Sequence, residues 1–221
     1  MRRLLNFYAW DADAVRGTAG RIENCQLGVF LTCVTPTGRA LIDRELYVPV
    51  SWTDDRDRCA EAGIGDDVPF ATKPELAQRM LARLLEQGAD IGWFTADEAY
   101  GDNPGLRAWL ETQRVNYVMV VSCDTAFATP TGTMRADELT ASAPKRGWQR
   151  LSCGAGRKGV RLYDWLLIDP GSGEHTLMVR RRPARTHFGA RRASCATCRT
   201  PVARSCTVSR GPGLNSPCVI D

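Results

Sequence analysis

Apolar residues recur with two different periods along the first 122 positions, and each change of period marks an element. Leu4, Leu5, Tyr8 and Val15 give residues 1–16 a partial helical face, which predicts a helix there. Gly17-Thr18-Ala19-Gly20 breaks it. The β-branched and apolar run at residues 24–34 then predicts a buried strand, Pro36-Thr37-Gly38 a turn, and residues 39–50 the antiparallel partner. From Thr72 the spacing becomes helical: Leu76, Met80, Leu81, Leu84 and Leu85 share a face, and Gly88 stops the run. Thr72 suits an N-cap, Pro74 the first helical position, and Glu75 the reciprocal position of a capping box. Ile91 begins a strand-like run that ends on adjacent carboxylates, Asp97 and Glu98, and Gly101 closes it. A second helix opens at Asn103 or Pro104, and residues 116–122 form another apolar strand.

The order over residues 24–122 is therefore strand, strand, helix, strand, helix, strand. Helix-separated strands predict a mixed sheet with parallel members, an α/β fold. Residues 124–180 differ: WQRLSC, GVRLYDWLLID and EHTLMVRRR alternate or run apolar between glycine-rich turns, and predict a small antiparallel β unit after a short helical turn near residues 133–139. Residues 181–221 show neither period and are dominated by Arg, Ala, Ser, Cys, Pro and Thr, so they are expected to be disordered. They read like GC-rich coding DNA translated in a shifted frame.

Charge sharpens that division. Residues 1–180 hold 21 Lys and Arg against 24 Asp and Glu, whereas residues 181–221 hold 8 Arg against a single Asp. No apolar run is long enough to span a bilayer, and the basic N-terminus lacks the apolar core of a signal peptide, so a cytoplasmic protein without a membrane partner is expected. The nine cysteines are odd in number and irregularly spaced, which argues against a disulfide scaffold. Cys195, Cys198, Cys206 and Cys218 raise the question of zinc, but their spacing is irregular and His187 precedes them.

Three groups of residues invite chemistry. Asp97 follows an apolar strand, and ligands of open α/β sheets bind beyond the carboxyl ends of the strands. The acidic residues Asp54, Asp55, Asp57, Glu61, Asp66 and Asp67 lack the spacing and turn glycine of a calcium loop and read as solvated surface. Lys145, Arg146, Arg150, Arg157, Lys158 and Arg161, interleaved with Trp148 and Tyr163, suit phosphate contact and base stacking. An ordinary hairpin with long side chains over its outer face fits them equally well.

The wording of the chain adds a resemblance. GTAGRIENCQLGVFL, GRALIDRELYVPVSWTDD, ATKPELAQRMLARLLEQGA, TADEAYGDNPGLRAWLE, RADEL and GRKGVRLYDW occur in order and closely resemble insertion-sequence transposases of the DDE superfamily, of the insertion sequence 701-type group. The resemblance covers most of residues 1–180. It implies an RNase H-like core interrupted by a β-rich insertion, with three carboxylates holding two divalent ions, Mg2+ or Mn2+, for phosphodiester cleavage and strand transfer. On this alignment Asp97 is the second of the three and both a catalytic and a metal residue.

The departures carry equal weight. The family's first strand and first Asp belong between DADAVR and GTAGRIENCQ, but Arg16 is followed directly by Gly17. The third carboxylate belongs beyond residue 180, where this chain has no Glu. The expectation is a truncated and internally deleted transposase: a remnant N-terminal helix at 1–16, a partial RNase H-like core at 17–123 with an unsatisfied sheet edge, a β-rich insertion at 124–180 and a frameshifted tail at 181–221. Its expected partners are DNA at mobile-element ends and a full-length transposase. The leading expectation is an inactive remnant; the alternative is a non-enzymatic DNA-binding or regulatory fragment acting on element ends or on a full-length transposase.

Overall fold

The computed structural model describes residues 3–9, 27–156, 159–171, 175–183 and 193–199. The central strand of the first half is β1 (Arg3–Ala9), which pairs antiparallel with β2 (Leu27–Thr35) and parallel with β4 (Ile91–Ala96). This overturns the expectation of a helix at the N-terminus. Leu4, Leu5 and Tyr8 fit a strand as well as a helix, and hydrogen-bonded partners on both sides decide the outcome over local period. It also removes the expected gap, because Arg3–Ala9 takes the central position assigned to a deleted strand.

The hairpin forms as the sequence indicates. β2 and β3 (Gly38–Tyr47) join through Pro36-Thr37, with Ile42 as an extra residue where the register shifts. Two short helices, α1 (Val50–Thr53) and α2 (Arg56–Glu61), follow, and the acidic residues around them are exposed, with Asp55 capping α2 by accepting from the Arg58 N–H at 3.1 Å. Helix α3 (Lys73–Glu86) starts with the capping box: the Thr72 hydroxyl accepts from the Glu75 N–H, and the Glu75 carboxylate accepts from the Thr72 N–H at 2.7 Å. Its buried face is Leu76, Ala77, Met80 and Leu81, while Arg83 on its outer side reaches Asp43 at 2.8 Å and Glu45 at 2.6 Å on β3.

After β4 come α4 (Glu98–Gly101), α5 (Pro104–Thr112) and β5 (Tyr117–Val121), which lies parallel to β4. The order β3-β2-β1-β4-β5, with β2 alone antiparallel to β1, β4 and β5 among the inner four, is the RNase H-like mixed sheet. Phe94, Tyr117, Met119, Val29 and Leu31 meet Met80, Leu81, Tyr100, Leu106 and Leu110 in one core.

The β-rich half is continuous with this sheet. A separate hairpin, β6 (Ala126–Thr129) and β7 (Gly132–Arg135), leads into α6 (Ala136–Ser142) and the 3-10 turn Lys145–Gly147. Strands β8 (Gln149–Gly156), β9 (Gly159–Ile168) and β10 (His175–Arg181) then run antiparallel, and β11 (Ala193–Arg199) joins β10 to β5, giving nine strands in the order β3-β2-β1-β4-β5-β11-β10-β9-β8. One piece of the arginine-rich tail is thus a strand in the interior of the sheet, although it lacks any apolar period. Pairing on both sides supplies what composition does not. The rest of the tail, including Cys206 and Cys218, lies outside the described residues.

A second core, of Val121, Phe127, Ala136, Leu139, Leu166, Leu177 and Val179, packs α6 and the small hairpin on this half. A polar cluster ties the halves together at the amino end of β5. There the buried Tyr117 hydroxyl donates to Glu111 on α5 at 2.8 Å, and His175 on β10 lies 3.0 Å from the same carboxylate oxygen and 3.2 Å from the hydroxyl.

Candidate functional site

Asp97 lies where the pattern placed it, one residue past the end of β4. It is the N-cap of α4, its carboxylate accepts from the Ala99 N–H at 3.1 Å, and it is exposed at the rim where β1, β4 and β5 end. The helix of one turn that follows is fixed by two residues of the same phrase. Tyr100 is fully buried, and Gly101 lies so close to β5 that a Cβ there would fall 1.7 Å from the Val120 carbonyl oxygen. The Arg107 guanidinium donates to the Gly101 carbonyl, further securing the turn.

The neighbouring carboxylates serve the same scaffold. Asp102, at the C-cap of α4, accepts from the Ser122 N–H at 2.8 Å and from the Thr125 hydroxyl at 3.2 Å, which clamps α4 to the end of β5. The Ser122 hydroxyl donates to Asp124, and this bond, with one from Asp124's own backbone, holds that carboxyl below its ordinary value. Glu98 is exposed at the first position of α4, and an open depression is lined by Glu98, Ala99, Asp102 and Asn103.

The family's divalent ions need several oxygen ligands converging on one point. Among the described residues, no group of three or more His, Cys, Asp or Glu side chains is placed to hold a metal ion. Asp97 is engaged as a cap and Asp102 as a clamp, so the described donor set does not fit a two-ion centre. A helix over residues 1–16 would give Asp11 and Asp13 no place at a sheet rim. Recognising RLLNFYA as a strand draws attention to both, since they follow it directly; they lie outside the described residues.

The six cations proposed for DNA divide into three groups. Lys145 and Arg146 are exposed on the 3-10 turn beside Trp148, whose ring Arg181 covers at 3.6 Å. Arg150 on β8 pairs with the buried Asp164 at 2.8 Å, which raises the guanidinium's pKa, and Arg161 on β9 donates to the Cys153 carbonyl at 3.4 Å. Arg157 and Lys158 lie outside the described residues. As for zinc, Cys195 and Cys198 sit three residues apart in extended β11, which separates their backbones by about 10 Å, whereas a zinc knuckle brings such a pair together in a turn.

A mixed sheet of this order, with a carboxylate at the rim beyond its fourth strand, defines the RNase H-like class. Within it, residues 11–161 match the family described as DDE superfamily endonuclease, about two thirds of the chain, and the protein belongs to that family. The family acts on DNA and typically employs divalent metals. No curated protein matches the chain. Among the described residues no helix is long and apolar enough to cross a membrane.

Proposed function

We propose that this protein is a transposase by descent, of the insertion sequence 701-type group, whose ancestor cut and joined DNA at mobile-element ends, and that this chain binds DNA without cutting it. The observation that carries the reading is the family match over residues 11–161 combined with rim carboxylates that are bonded into the scaffold rather than gathered around one point. Asp97 is the position inherited from the catalytic set. Lys145 and Arg146, exposed at the edge of the β-rich half, favour a second role: occupying element ends, alone or beside a full-length transposase.

The test is a nicking and binding assay on element-end duplexes with Mg2+ or Mn2+ and with EDTA. We expect salt-dependent binding in both conditions and no cleavage above the level of Asp97→Asn. Metal-dependent nicking that Asp97→Asn abolishes would show that the chain is an active enzyme. Absence of binding at low salt would remove DNA as its partner.

A further inference from the structure

The register places a two-stranded ribbon at the rim that bears Asp97. β10 runs in the direction of β5, and its last residue, Arg181, pairs with Asp164 of β9. The β9 residues before Asp164, from Gly159 to Tyr163, therefore continue past the end of β10 and, among the described residues, pair with β8 alone. At about 3.3 Å per residue this two-stranded arm extends roughly 17 Å beyond the last pair with β10. It leaves the sheet four strand spacings from β4, about 19 Å along the rim, and a twist of about 20° per strand swings its axis by roughly 80° from that of β4.

Its surface is unusual for a solvent-facing hairpin. Val160 and Leu162, alternate residues on one side, are 67% and 46% exposed, and residues 151–163 contain no carboxylate. The other side is braced: Arg161 holds the Cys153 carbonyl, and Arg180 lies over the Tyr163 ring at 4.7 Å. Lys145 and Arg146 precede Trp148, whose ring lies against Arg181, the residue paired with Asp164 at the base of the arm.

We infer that the β8–β9 arm is a DNA ribbon that enters the major groove of a duplex, with Val160 and Leu162 against base edges and Lys145 and Arg146 on the flanking phosphates. A two-stranded β-ribbon fits the major groove, about 12 Å wide and 8.5 Å deep, and not the minor groove of about 6 Å. The arm is longer than that groove is deep. Its lack of acidic groups suits a polyanion, and exposed aliphatic side chains suit the thymine methyl groups found only in the major groove. The inference rests on the DNA-binding reading above and adds the element, the groove and the residues.

The experiment is dimethyl sulfate footprinting of the full chain on a mixed-sequence duplex, reading guanine N7 in the major groove and adenine N3 in the minor, alongside affinity against salt. The wild type protects a patch of guanine N7. The doubly substituted V160S/L162S loses that patch and about tenfold in affinity, with an unchanged salt slope because no charge is removed. K145A/R146A keeps the patch and loses about 2 from the slope, at about 0.9 per phosphate contact. Arg114→Asn, at the opposite end of β5, changes neither measure. Protection confined to adenine N3, a footprint indifferent to V160S/L162S, or a change of oligomeric state in that variant with DNA binding intact overturns the inference. A wild type that binds no duplex overturns the DNA reading along with it.

Discussion

Gly101→Ala tests most directly how the TADEAYG phrase builds the rim. A methyl group there would fall 1.7 Å from the Val120 carbonyl oxygen and 2.8 Å from its carbon, where Cβ contacts below 3.0 Å are essentially never found. The obstacle is the backbone of a central strand, so no side chain can swing aside. α4 and β5 must separate by more than about 1 Å, which loosens the packing of the fully buried Tyr100 and stretches the bonds from Asp102 to Ser122 and Thr125. Overpacking costs about 1–3 kcal/mol, and a clash with fixed backbone places this substitution near about 3 kcal/mol. For a chain of this size that lowers Tm by about 6–12 °C. Urea titration is the assay: the midpoint should fall while the m-value holds. Gly105→Ala is the control, because its Cβ meets only the Asn103 side-chain oxygen, at 3.2 Å, early in α5, where alanine favours the helix. If Gly101→Ala shifts the midpoint no more than Gly105→Ala does, α4 is not pressed on β5 as described.

Three further substitutions probe the supports. The Glu75 carboxyl is held below its ordinary value of 4.5 chiefly by the Thr72 backbone and hydroxyl; its contribution to stability is therefore complete above about pH 4.5 and is lost as pH falls through the lowered folded value. Thr72→Ala should cost about 1 kcal/mol at neutral pH and flatten that acid limb in urea melts collected across pH. Tyr117→Phe should cost about 1–2 kcal/mol, and a double-mutant cycle with His175→Ala should show coupling between α5, β5 and β10; strict additivity would contradict the shared contact with Glu111. Asp164→Ala leaves Arg150 and Arg181 without their carboxylate and should cost about 2 kcal/mol by thermal melting, less than a fully buried pair because the Arg150 side chain is 56% exposed.

Elements with a strong local signature were legible in the sequence. Thr72, Pro74 and Glu75 announce the start of α3, and Pro36-Thr37-Gly38 the turn between β2 and β3; both act within a few residues and form as read. β1 and β11 were not legible, for a common reason. Each is a short segment whose conformation is set by strands on both flanks: Arg3–Ala9 by β2 and β4, Ala193–Arg199 by β5 and β10. No period within seven residues reports on partners that arrive from elsewhere in the chain. At the site the boundary falls similarly. The position of Asp97 at the end of β4 follows from the strand's apolar run, whereas the commitment of Arg150 to Asp164 depends on a register between two strands that sequence spacing does not reveal.

If this chain binds DNA without cutting it, as we propose, the presence of β1 changes what that would mean for its stability. With the central strand missing, inactivity and instability would go together, because an unsatisfied edge would accompany the absent carboxylate. With Arg3–Ala9 paired on both sides, the two separate. Asp97 caps a helix, Asp102 clamps it to β5, and Asp164 balances two guanidinium groups. Each of these carboxylates has a structural task in the fold. In an active centre of this kind, several unneutralised carboxylates converge and repel one another until cations arrive, which is a cost to the folded state. Among the described residues the rim carboxylates are dispersed and bonded to protein donors, which carries no such cost. Under the proposed function the fold therefore stands without the ancestral reaction. Asp97→Asn should leave the urea midpoint within about 1 kcal/mol of wild type, the worth of one cap, while a larger loss would show that the rim depends on that carboxylate for more than capping α4.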